Sequence, residues 1–253
     1  MEIVEFWHVR RVLLFQTAAM AVVVLFAWVM TGHVSVSGDV ELPMIRGFGY
    51  PLSGVAPVAM TFAAIFGSIV GTLFRRTDET VELLWTRPIG RRAVAWRFIA
   101  IDLLGLVASF VLGYVMVAAI AGRAGVLPAL DANAGIAFAL ALGVAAMWYG
   151  LTLVLSTLLR GGLARSISGV LWPVALIALA LGAKSPPPTV LHAAARWLDV
   201  VNPLGYMQLS FRWTAGAAQA IWPLAPELRT AIVWLFAAAF CAVATELWMR
   251  REI

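Results

Sequence analysis

Side chains able to do chemistry are sparse in this chain, and many of them stand in one place. Residues 79–100 read ETVELLWTRPIGRRAVAWRFIA, with two acids, four arginines, a proline and a glycine in a sequence that is otherwise mostly apolar. The types needed for phosphate chemistry are missing. A P-loop requires G-x-x-x-x-G-K-[ST], in which glycine backbone cradles phosphate and the lysine neutralises it. The one lysine, Lys184, is followed by Ser185, but Ala183 and Ala178 occupy the two glycine positions, so no nucleotide site is encoded. His8, His33 and His192 are scattered, and neither H-E-x-x-H nor G-x-S-x-G occurs. The acids do not pair at metal-ligand spacing. No catalytic residue and no metal site is therefore expected, and structural roles account for all three histidines. Cys241 is the single cysteine, which excludes an intrachain disulfide and a cysteine-based metal site.

Three further features lie inside apolar runs. Asp102 is an acid expected within a membrane span, which makes it a functional-site candidate by default. It stands about one turn from the expected cytoplasmic end of that span, where snorkelling or pairing with an arginine is the simpler structural account. Gln16 has two open readings, a substrate path or a hydrogen bond to a neighbouring helix. Gly67 and Gly71 form a GxxxG that permits close helix approach, equally within one chain or between two. Phe62, Phe66, Phe110, Trp148 and Tyr149 are read as packing or interfacial aromatics rather than cavity walls.

The elements that position these residues follow from composition. Of 253 residues, 62% are hydrophobic and 12% charged, with a mean hydropathy of +0.93. Soluble domains are nearer half apolar. The chain reads as one integral membrane domain spanning residues 1–253, with no soluble domain set aside. A bilayer core of about 30 Å needs roughly 20 apolar residues per helix. That criterion selects six spans, at approximately 12–31, 54–74, 98–122, 134–159, 166–182 and 230–249. The net charge of +5 and pI near 10.1 come from basic residues beside apolar spans rather than on a solvated face. This points to topology and not to nucleic acid. Arginines concentrate on the flanks holding residues 10–11, 75–97, 160–165 and 250–251, so both termini and the 79–97 segment are expected in the cytoplasm. The opposite connections are longer and poorer in charge. They include KSPPP, a short interfacial helix over 189–201, and an apolar stretch at 204–221 whose central Arg212 favours a re-entrant or interfacial hairpin over a seventh span.

Residues 79–92 have a local logic of their own. Thr77 or Asp78 caps a helix whose first turn holds Glu79 and Glu82, where the helix dipole favours negative charge. Pro88 disfavours helix at Arg87, and Gly90 permits the turn into the third span. Val81, Leu84 and Trp85 then share one face. The expectation is a short helix, a break, and a new helix entering the bilayer. Arginines placed only by the positive-inside rule would account for Arg75, Arg76, Arg91 and Arg92, but not for the capped acidic helix.

The run TVELLWTRPIGRRAVAWRFIA resembles the cytoplasmic segment between the second and third spans of type-2 ABC transporter permeases. In that family an acidic, Leu-rich short helix leads into a Pro-x-x-Arg element, and a basic residue opens the third span. Glu82, Leu83 and Leu84 match the helix, and Pro88, Arg91 and Arg97 match the element and the opening of the span. STLLRGGLARSISG (residues 156–169) and NPLGYM (residues 202–207) are similar to two other family connections, and MEIVEFWHVRR would correspond to a short elbow helix. The resemblance implies an all-α permease of six transmembrane helices, with a cytoplasmic coupling helix between the second and third spans. Glu79, Glu82, Leu83, Leu84, Trp85, Arg87, Pro88, Arg91 and Arg92 would meet a separate ATP-binding subunit that holds ATP and Mg. It also implies a second permease copy or a related permease, a hydrophobic or amphiphilic cargo, and export across a cell inner or plasma membrane. Two other classes are weighed against it: a membrane anchor that binds an ATPase without transport, and an intramembrane enzyme with an unfamiliar site.

Overall fold

A computed structural model describes residues 9–12, 14, 15, 18, 21, 50, 51, 55–73, 90–123, 128, 129, 134–159, 190 and 225–250. The expected spans at 12–31 and 166–182, the short helix before Pro88, and the segments at 189–201 and 204–221 fall largely or wholly outside the described residues. Among those residues the architecture is helical. Four helices carry it: α1 (Ala56–Leu73), α2 (Arg91–Arg123), α3 (Ala134–Leu158) and α4 (Pro226–Met249). Two short strands, β1 (Tyr50–Pro51) and β2 (Pro128–Ala129), pair in parallel with Tyr50 opposite Pro128. Residues 92–116, 134–158 and 227–249 form three helical stretches long and apolar enough to cross a membrane, and α1 contributes a shorter apolar helix.

The helix starts follow local rules. The Gly90 carbonyl accepts the Ala93 and Val94 backbone N–H groups at 2.8 and 3.3 Å, so helix begins at Arg91. The third span was expected from Phe98; arginine is a good helix former, and the helix simply continues outward through residues that hydropathy alone would exclude. At 33 residues, α2 is about 50 Å long. Helix α4 opens with Pro226, whose fixed φ suits the first helical position, four residues before the expected span. Arg229, expected in the preceding connection, therefore lies in the first turn of α4 and is 4% exposed.

The core runs through the helices in the order α2, α1, α3, α4, each packed broadly on the next, while α2 meets α3 and α4 at few places. Glycines mark the close approaches. A Cβ added at Gly105 would lie 2.6 Å from Phe66, and one at Gly113 would lie 2.9 Å from the Ala59 Cα, so α1 and α2 run antiparallel. Added at Gly67 and Gly71 it would lie 3.0 Å from Tyr149 and from Thr152, so α1 and α3 run in the same direction. Gly143 faces Trp234 and Gly150 faces Phe240, which makes α3 and α4 parallel as well. One end of the bundle thus gathers the finishes of α1, α3 and α4 with the start of α2, and Arg92 and Glu246 pair there at 2.7 Å. The β1–β2 pair belongs to the other end.

Helix α3 is the hub, buried on every side from Gly143 to Gly150. Its buried threonine and serine hydroxyls bond to their own helix, with Thr152 donating to the Trp148 carbonyl at 2.8 Å and Ser156 to the Leu153 carbonyl at 2.8 Å. Phe138 of α3 meets Phe110 and Tyr114 of α2 edge to face. Outward-facing positions are apolar too, including Leu104, Val107, Val111 and Val115 on α2 and Trp234, Leu235, Phe236 and Val243 on α4. Faces of this kind suit hydrocarbon, where they incur no hydration penalty.

Candidate functional site

Helix α2 carries Asp102 eleven residues past its start, about 16 Å along the axis. At that depth the carboxyl does not reach solvent: Asp102 is 0% exposed. Tyr149, at the centre of α3 and also 0% exposed, donates its hydroxyl to Asp102 Oδ2 at 2.7 Å. Gly67 of α1 packs against the Tyr149 Cβ, where a side chain on α1 would crowd it. Cys241 of α4, 5% exposed, lies beside this position: a Cβ added at Gly150, the residue after Tyr149, would be 3.5 Å from the Cys241 backbone nitrogen. Around the polar group lies a single buried cluster that includes Phe66, Phe98, Leu106 and Leu153. Three helices therefore deliver one polar side chain each to a dry junction, and the fourth closes it with glycine.

An acid in such surroundings is expensive, since translocon scales put a central aspartate about 2.5–3.5 kcal/mol above an apolar residue. A charge-accepting hydrogen bond recovers part of that cost. What the arrangement can do chemically is bind and orient a polar group or hold two helices in register.

Arg92, expected at the partner interface, stands at the start of α2 with its side chain 68% exposed and pairs with Glu246 of α4, 43% exposed. Arg91 opens the same helix. Glu79, Glu82, Leu83, Leu84, Trp85, Arg87 and Pro88 lie outside the described residues, as does Gln16. The polar junction and the start of α2 are separate loci, about 15 Å apart along one helix. Gly67 and Gly71 pack within the chain, on Tyr149 and Thr152. Phe66, Phe110, Trp148 and Tyr149 are buried, and Phe62 is half-buried. Sequence reading missed the role of the Tyr149 hydroxyl. The signal for it was present: an acid buried in an apolar span needs a donor from another helix, and Tyr149 lies in the apolar run of a different span. Among the described residues no cluster of three or more His, Cys, Asp or Glu side chains is placed to hold a metal ion.

Compared with known proteins, the chain matches no family model, no curated protein and no solved structure at a significant level.

Proposed function

We propose that this chain is the transmembrane permease subunit of an ATP-driven exporter of the type-2 ABC class, working with a second permease copy and with separate ATP-binding subunits. The observation that carries the reading is the continuity of α2 from the end of the Pro-x-x-Arg element. Gly90 and Arg91 pass directly into an unbroken 33-residue helix, so a push on residues 79–90 travels through a rod of about 50 Å. The same end of the bundle holds the finishes of α1, α3 and α4, so a partner docking at the start of α2 would meet several helices at once. A six-span plan also agrees with helix direction. In that plan the fourth and sixth spans run in the same direction, as α3 and α4 do.

In this reading both termini and the Arg92–Glu246 end face the cytoplasm of a cell inner or plasma membrane. The partner supplies ATP and Mg, and closure of its subunits tilts α2. The apolar outer faces of the helices suit a hydrophobic or amphiphilic cargo. The test is co-purification of the chain from its native membrane, followed by reconstitution with the ATPase that comes with it. Charge reversal at Glu82, or Pro88→Ala with Arg91→Ala, should abolish stimulation of ATP turnover while leaving membrane insertion intact. Unchanged copurification and turnover in those variants would overturn the coupling role. An ATPase that binds but never responds to any amphiphile would favour an anchor instead.

A further inference from the structure

The seam between α2 and the α3–α4 pair is thin. Helix α2 lies broadly on α1, yet it touches α3 and α4 at few places. Polar contacts across that seam include the exposed Arg92–Glu246 ion pair at one end and the fully buried Tyr149–Asp102 hydrogen bond farther in. An exposed ion pair holds little, because water and salt compete for both partners. The buried bond has no such competition.

We propose that the Tyr149–Asp102 bond is a latch on this seam: made, it holds α2 against α3, and released, it lets α2 swing on α1 and admits water to the junction where Cys241 lies. Its strength fits a switch. Hydrogen bonds between membrane helices are modest on average, weak enough to be exchanged during a conformational cycle. With few close approaches on this seam beyond the ring contacts of Phe138 with Phe110 and Tyr114, such a bond adds to the closing free energy. The flanking interfaces differ in kind, since α1 meets both α2 and α3 through glycine contacts that leave little slack. Motion is therefore directed to the α2–α3 and α2–α4 seam. The inference does not depend on the export reading, and its test needs neither nucleotide nor partner.

Cys241 supplies the measurement, being the only cysteine in the chain and buried in α4. The full-length protein in lipid nanodiscs is treated with N-ethylmaleimide well below its unfolding temperature, and the labelling rate reports how often the junction opens. Tyr149→Phe deletes one oxygen and Asp102→Asn weakens the same bond, so each should speed labelling about 3- to 20-fold at unchanged helicity. The double variant should label more slowly than the product of the two single effects, because the two changes share one interaction. Thr245→Val is the control: it deletes a buried hydroxyl that bonds only to the Cys241 carbonyl of its own helix, at 2.9 Å, and should leave the rate unchanged. Should Tyr149→Phe not yield folded protein, Asp102→Asn against Thr245→Val decides. Unchanged labelling in the latch variants, an equal rise in Thr245→Val, or multiplication of the two single effects in the double variant would each overturn the latch.

Discussion

Replacing Gly105 with alanine tests the packing that holds the polar junction in place. A Cβ there would lie 2.6 Å from Phe66 Cζ and 2.8 Å from Val12 Cγ1, against a comfortable carbon separation of about 3.5–4.0 Å. Roughly 1 Å must be found, and neither neighbour yields easily. Phe66 is buried, and its ring sits 5.3 Å from that of Phe15, so a rotation would drive it into a second ring. Val12 belongs to a different segment, so the two contacts cannot be relieved by one shift. Overpacking of this kind costs about 1–3 kcal/mol, and two rigid neighbours argue for the upper part of that range. Alanine gains about 1 kcal/mol in helix propensity over glycine, which leaves a net loss of about 1–2 kcal/mol. For a chain near 250 residues, 1 kcal/mol moves the unfolding midpoint by about 2–4 °C, so a fall of about 2–8 °C is expected. A thiol-reactive fluorophore read against temperature measures it, since Cys241 is buried until the helices part. Gly135→Ala is the control, because Gly135 is exposed on α3 and no atom lies within 4 Å of an added Cβ. It should melt at or slightly above the wild type. A Gly105→Ala midpoint at or above the wild type, or an equal fall in Gly135→Ala, would refute the packing argument.

Two further outcomes follow from individual contacts. Glu246→Gln removes the Arg92 ion pair, and since both partners are well exposed the loss should be under about 1 kcal/mol. It should disappear near 1 M salt, where the screening length is about 3 Å, and the exchanged pair Arg92→Glu with Glu246→Arg should restore the low-salt midpoint. Trp234→Phe removes the indole N–H that donates to the Ala139 carbonyl at 3.0 Å. That should cost about 0.5–1.5 kcal/mol, seen as a lower midpoint in the same melt, and an unchanged midpoint would mean that the bond adds nothing to the α3–α4 contact.

Hydropathy alone located α1, α3 and α4 to within a few residues, because long apolar runs bounded by proline or by a connection leave little choice of ends. Its window for the third span opened at Phe98, while the helix itself begins just past Gly90, where the turn was expected, and the reason for the difference is physical. A hydropathy window stops at arginines, whereas a helix stops where its backbone N–H and C=O groups lose their partners. At Gly90 the carbonyl captures Ala93 and Val94, and the arginines between there and Phe98 lengthen the helix without entering hydrocarbon. Asp102 was read as about one turn from the expected interface, where its carboxyl could reach water or an arginine; in the structure it is sealed, and Tyr149 of another helix donates to it. Two tyrosines were legible within the apolar spans. Tyr114 shares α2 with Asp102, twelve residues and about 18 Å farther along the axis, beyond the reach of a phenol. Tyr149 was the remaining choice, and what the sequence lacked was the register of α3 against α2. That register is set by α1, through Gly67 on Tyr149 and Gly105 on Phe66, contacts between side chains and bare backbone that leave no periodic signal in either helix. The GxxxG of α1 thus bears on the polar site without touching its oxygens. It seats Tyr149, and Tyr149 reaches Asp102.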